Sequence, residues 1–163
     1  MYQEAFKLKQ ICKSRALFLI NDRIDIALAI DADGAHIGTE DMPYSVVRKL
    51  LGNKKIIGLT VHNIEEAQEA ERVGADYIGI SPIFATTTKE DAGEPAGLDL
   101  IKRIKKSVNV PIVAIGGITL DNAPEVIKAG ADAICAISAV VTKEDVRTEI
   151  ERFQKYFKKN IDK

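Results

Sequence analysis

The sequence lacks most signals that would place it in a specialised class. Only two cysteines occur, Cys12 and Cys135. They show neither metal-ligand spacing nor the even, patterned set of a disulfide framework, which predicts a reducing, cytoplasmic setting. No segment reaches the ~20 apolar residues that span a bilayer. The first ten residues, Met1 to Gln10, form a mixed-charge amphipathic stretch without the apolar run of a signal peptide. Excess charge of one sign is also missing. The 23 Lys and Arg balance 24 Asp and Glu to a net charge of −1, so no broad footprint for nucleic acid or an anionic membrane is expected, and any phosphate site must be local. No Ser/Pro-rich linker divides the chain, and residues 1–163 are expected to form one domain.

What is present is a series of short apolar runs: Leu17–Asp22, Gly34–Gly38, Lys55–His62, Tyr77–Phe84, Pro111–Ile118 and Ala133–Val140. Their length, β-branched content and lack of helical period predict six buried parallel strands. Helical patterns separate them. After Asn63, Glu66 stands at the capping-box position, Ala67, Ala70 and Val73 share a face, and Gly74 marks the stop. Asp121 is a candidate cap for a helix with Pro124 in its first turn, ending at Gly130, while Val146, Ile150, Phe153 and Phe157 form one stripe of a last helix. An amphipathic helix over Glu4–Ser14 precedes the first strand.

A weak internal repeat supports the same architecture. Val73-Gly-Ala-Asp-Tyr-Ile-Gly-Ile-Ser81 matches Ala129-Gly-Ala-Asp-Ala-Ile-Cys-Ala-Ile-Ser138, and Ile30-Asp-Ala-Asp-Gly-Ala-His-Ile37 is a third copy. Each reads as a helix stop, a tight turn and a strand entering the core. Repetition of one βα unit without a Gly-x-Gly-x-x-Gly turn suits a TIM-type (β/α) barrel better than a doubly wound sheet. A complete barrel has eight strands and usually ~250 residues. The expected fold is therefore a TIM (β/α) barrel lacking its first two strands, with six parallel strands and flanking helices. An open sheet of this kind has two edges to cover, by a homo-oligomeric partner or a preceding segment.

In such barrels the chemistry lies at the C-terminal strand ends. Here those ends are polar: Asn21-Asp22, Glu40-Asp41, Thr60, Thr86-Thr-Thr-Lys89, Gly116-Gly117 and Ser138. Asp22 and Asp41, carboxylates on adjacent strand ends, suit Mg²⁺, which takes one or two carboxylates together with waters and phosphate oxygens. An equally weighted reading makes both of them helix caps. Gly116-Gly117 and Ile137-Ser138 end the last two strands, where a backbone phosphate site is common, against the plainer reading of turn glycines. Lys89 lies in a polar stretch, Thr86 to Pro95, that can close over an anionic ligand or be an ordinary surface loop. His36 and His62 share no ligand spacing and are expected to be structural.

Taken in order, Leu19-Ile-Asn-Asp-Arg23, Gly34-Ala-His-Ile-Gly38 with Glu40-Asp41, Ser81-Pro-Ile-Phe-Ala-Thr-Thr-Thr-Lys89, Ala114-Ile-Gly-Gly-Ile118 and Ile137-Ser138 resemble the motif set of the thiamine phosphate synthase family. The resemblance implies a transferase of thiamine biosynthesis. It joins 4-amino-2-methyl-5-(diphosphooxymethyl)pyrimidine to a thiazole phosphate and releases pyrophosphate. By resemblance, Asp22 and Asp41 hold Mg²⁺, and Asn21, Thr60 and Lys89 contact the pyrimidine diphosphate, Asn21 and Lys89 acting in catalysis. Thr86, Thr87, Thr88, Gly117, Ile137 and Ser138 take the thiazole phosphate. Thr60 stands where the family often has Ser. A Gln-x-Arg-x-Lys run that the family carries on an earlier strand is not found before the first helix. The resemblance also leaves two rival expectations, a thiazole tautomerase on the same fold and a non-catalytic phosphate-binding barrel remnant. The Thr-Thr-Thr-Lys89 stretch favours the synthase over the tautomerase.

Overall fold

The structure is a computed structural model that describes residues 1–13, 15–86 and 93–161, with side chains described through Phe157. Six strands form one parallel sheet: β1 (Leu19–Asn21), β2 (Gly34–Ile37), β3 (Ile56–Val61), β4 (Tyr77–Ile80), β5 (Ile112–Ile115) and β6 (Ala133–Cys135). The spatial order follows the chain order and the sheet curls into a half-barrel. Helices stand between successive strands: α2 (Ile24–Ala29), α3 (Tyr44–Leu51), α4 (Ile64–Val73), α5 (Gly97–Ser107) and α6 (Ala123–Lys128), with α1 (Tyr2–Cys12) before β1 and α7 (Ser138–Val141) and α8 (Val146–Ile161) after β6. None of the helices among the described residues is long and apolar enough to cross a membrane.

The period of two along each strand sorts side chains between helices and barrel interior. Ala35, Ile37, Ile57, Val61, Ile78, Ile80, Ile112 and Ala114 turn outward and are at most 1% exposed beneath the helices. Each fully buried Ile or Val contributes roughly 1.5–3 kcal/mol relative to exposure, so this layer supplies much of the stabilisation. The core falls into two clusters: one packs α2 and α3 on β1 to β3, the other packs α4 to α8 on β3 to β6. The opposite set of residues faces the interior.

The threefold repeat has a mechanical explanation. Asp33, Asp76 and Asp132 each sit just before a strand, and each carboxylate accepts a backbone N–H from the preceding strand segment, from Phe18 at 2.7 Å, Ile57 at 2.8 Å and Ile112 at 2.9 Å. The same aspartates donate their own N–H to the carbonyls of Phe18, Ile57 and Ile112. Each also meets a cation, Lys9, Arg48 and Lys105 respectively. The Ala-Asp pair is thus a latch that sets the register of each new strand.

Several boundaries differ from the expectations. The run Tyr77–Phe84 leaves the ladder after Ile80, because Pro82 has no N–H to donate. The run Ala133–Val140 is strand only to Cys135, after which Ser138–Val141 is one helical turn. Asp121 does not cap α6. The cap position is Asn122, whose Oδ1 instead accepts the Thr119 N–H at 2.9 Å. The stripe of α8 is buried at Phe153 (7% exposed), whereas Val146 and Ile150 are exposed. Asn63 does cap α4, accepting the Glu66 N–H at 2.8 Å, and Gly74 ends it in the left-handed conformation with φ 86°. Glu66 reaches back to the His62 N–H at 2.7 Å, one residue earlier than in a standard capping box.

Candidate active site

The interior-facing residues line a cavity of ≈ 530 Å³ that reaches the C-terminal strand ends at Asn21, Ile115 and Cys135. Its two sides differ. Asn21 of β1, His36 of β2, Thr60 of β3, and Tyr77 and Ser81 of β4 and its exit bring polar groups to one side, beside Leu19 and Ile20 of β1. Val113 and Ile115 of β5, with Cys135 and Ile137 of and after β6, make the other apolar. A wall of this kind suits a flat heterocycle with polar edges. The period of two along β1 to β4 turns Asn21, His36, Thr60 and Tyr77 inward among these apolar residues.

Asn21 and Thr60, both expected in the site, lie in this cavity. His36 and His62, expected to be structural, line it too. His36 Nε2 is 2.9 Å from Thr60 Oγ1 and Nδ1 is 2.9 Å from the Tyr77 hydroxyl. Burial pushes the His36 pKa down, partly opposed by the negative charge of Asp41, and pushes the Tyr77 hydroxyl up to about 12. The Cys135 thiol is likewise raised by burial, so it is not an activated nucleophile. Tyr77 and His36 escape a search limited to strand ends. The signal that finds them is the period of two run backward from Ser81 to Tyr77 and from Gly38 to His36.

Asp22 and Asp41 stand at the ends of neighbouring strands. Asp22 has φ 60°, a left-handed conformation uncommon outside glycine, and its N–H is tied to the His36 carbonyl at 2.9 Å. Asp41 Oδ2 accepts the Gly38 N–H at 2.7 Å. Neither occupies a cap position: the N-cap of α2 is Arg23 and that of α3 is Pro43. The Asp41 carboxylate instead shapes the loop that follows β2. No group of three or more His, Cys, Asp or Glu that could hold a metal occurs among the described residues. A pair of hard oxygen donors fits Mg²⁺, which keeps waters and completes its shell with substrate phosphate, and does not fit a closed site for a softer metal.

At the other end of the sheet, Gly116 and Gly117 have φ 95° and 64°. A Cβ on Gly117 would stand 2.7 Å from the Ala85 carbonyl oxygen and from Phe84 Cβ, so the glycine is required for the 82–85 loop to lie against β5. Ile137 lines the interior cavity. Ser138 lines another of ≈ 480 Å³ whose charged residues balance, Lys143 and Arg152 against Asp121 and Glu149, with Arg152 donating to Glu149 at 2.8 Å. Thr86 is half-buried. Thr87, Thr88 and Lys89 lie outside the described residues.

A parallel sheet curled around a cavity, with helices between successive strands, defines the (β/α)-barrel class. A family model described as thiamine monophosphate synthase matches residues 1–140, and the chain belongs to that family. It is 56% identical over 153 residues to the thiamine-phosphate synthase of Methanosarcina barkeri, covering 94% of this chain and 70% of that protein. It is 54% identical over 153 residues to that of Methanosarcina mazei, where it spans 64% of the relative's length. Among solved structures, the thiamine phosphate pyrophosphorylase from Pyrococcus furiosus superposes with a TM-score of 0.88 at 45% identity, covering 97% of this chain and 76% of that one. The family's enzyme class is transferase.

Proposed function

We propose that this chain, as one domain over residues 1–163, is a cytoplasmic thiamine-phosphate synthase that couples the pyrimidine diphosphate to thiazole phosphate with release of pyrophosphate. The observation that carries the reading is the meeting of Asn21 and Thr60 in one cavity, with Asp22 next to Asn21 in the chain and Asp41 close enough to the cavity residue His36 to act on it by charge. The aminopyrimidine ring enters the cavity, with its polar edges toward Asn21 and Thr60 and its face toward Val113 and Ile115. Its diphosphate is directed to the rim.

Asp22 and Asp41 would hold Mg²⁺, which when bound neutralises charge on the departing diphosphate. Lys89 is assigned the same task on the strength of the family motif. The C–O bond to the diphosphate ionises, and the thiazole nitrogen captures the resulting cation. No protein group needs to exchange a proton with the reacting carbon, so these residues act by orientation and charge stabilisation. The thiazole phosphate is assigned to Thr86, Thr87, Thr88, Gly117, Ile137 and Ser138 on the strength of the family motif.

The test is pyrophosphate release by the purified protein with both substrates and Mg²⁺. Release that requires the thiazole phosphate as well as the pyrimidine diphosphate supports the coupling reaction. Absence of release, with turnover of a thiazole carboxylate phosphate instead, would replace it by the tautomerase reaction.

A further inference from the structure

His36, Gly58 and Tyr77 occupy one level of the sheet, since His36 is the register partner of Gly58 and Gly58 that of Tyr77. Without a side chain on Gly58, the two rings meet across β3, with centroids 5.4 Å apart and planes at 25°. A second glycine makes room from the other direction: a Cβ on Gly79 would lie 3.0 Å from His36 Cε1. Two glycines inside adjacent strands cost conformational entropy and packing, so the seat for this pair of rings is a built feature.

Both ring nitrogens of His36 face hydroxyls, Tyr77 at Nδ1 and Thr60 at Nε2. A neutral imidazole has one N–H and one bare nitrogen, so one hydroxyl donates to it and the other accepts from it. Each ring nitrogen meets a hydroxyl and, among the described residues, neither is hydrogen-bonded to a carboxylate, the setting of a neutral imidazole. A phenol is the stronger donor and the poorer acceptor of the two hydroxyls, because its oxygen lone pair is shared with the ring. The buried Tyr77 also keeps its proton at neutral pH.

We propose that the Tyr77 hydroxyl donates to His36 Nδ1, that His36 Nε2–H donates to Thr60 Oγ1, and that Thr60 is thereby turned to donate its own proton into the cavity. His36 and Tyr77 are then positioning residues. They make Thr60 a hydrogen-bond donor that selects an acceptor atom on the ligand, such as a ring nitrogen of an aminopyrimidine, and disfavours an amino group presented there. The inference rests on the pyrimidine diphosphate occupying this cavity.

The chain has two histidines, so nitrogen-15 NMR of histidine-labelled protein, compared with His36→Gln, assigns the His36 ring directly. Expected is the tautomer protonated on Nε2. A ring protonated on Nδ1 overturns the proposal whatever the protein binds. Calorimetric titration with the pyrimidine diphosphate and Mg²⁺ supplies the second arm. Tyr77→Phe, which keeps the ring, should weaken binding about 3- to 10-fold in the otherwise unaltered protein and less than about twofold in a Thr60→Val background. Equal losses in both backgrounds would reduce Tyr77 to a packing residue and sink the relay. Binding in Thr60→Ser should match that of the parent. If the Nε2 tautomer is found and the parent protein binds no pyrimidine diphosphate, the substrate assignment falls and the orientation of Thr60 stands.

Discussion

Gly58 lies directly opposite Tyr77 on the neighbouring strand, and a Cβ placed on Gly58 would overlap the Tyr77 ring. The side chain missing from β3 is what allows a tyrosine on β4 to reach a histidine on β2.

Gly58→Ala is therefore expected to destabilise the protein by about 1–3 kcal/mol through overpacking and to break the His36–Tyr77 contact. Urea unfolding measures the loss. A Tyr77→Leu background, which removes the distal ring atoms, should recover part of it. Equal losses in the two backgrounds would show that the overlap with Tyr77 is not the cause.

The Asp33 latch leads to a prediction about pH. Lys9, 2.6 Å away, and then the Phe18 N–H hold the Asp33 carboxyl below its ordinary range. A depressed native pKa contributes stability that is present above the unfolded-state value of about 3.9 and lost as pH falls through the native value. Asp33→Asn should thus cost about 1–2 kcal/mol at pH 7, and the gap to the parent should close as pH drops below about 4. Urea midpoints across that range test it; a gap independent of pH would assign the loss to shape and not to charge.

Gly117 and Ser138 separate architecture from ligand binding. Gly117→Ala places a Cβ against Ala85 O and Phe84 Cβ at a left-handed φ, and is expected to cost on the order of 2 kcal/mol or more with no ligand present. Ser138→Ala should leave the unfolding midpoint within about 0.5 kcal/mol of the parent and weaken thiazole phosphate binding several-fold. Thermal unfolding paired with calorimetry distinguishes them. Unchanged binding in Ser138→Ala would remove that serine from the phosphate site.

Asp22→Asn and Asp41→Asn should each lower the Mg²⁺-dependent part of pyrimidine diphosphate affinity by about tenfold or more, with little effect on affinity measured in EDTA. Asparagine at 41 can still accept the Gly38 N–H, so the loop should persist. Loss of binding in the presence and absence of Mg²⁺ alike would mean that the carboxylates only shape their loops.

The order of βα units, the parallel sheet and the strand-end position of Asn21, Asp22, Asp41 and Thr60 were all legible in the sequence. They follow from local causes: β-branched apolar runs, glycine stops and the Ala-Asp repeat, each acting within about ten residues. The motif resemblance reached the family from the same residues. What only the tertiary structure decided is how residues distant in the chain meet. His36, Thr60 and Tyr77 span 41 positions and come together because register places His36, Gly58 and Tyr77 side by side and curvature turns them inward. The partners of the three aspartates in the repeat were hidden for the same reason, since the accepted N–H lies 15 to 20 residues earlier in the chain. Sequence pattern sets which face a residue takes; strand pairing and the curl of the sheet set which residues it faces.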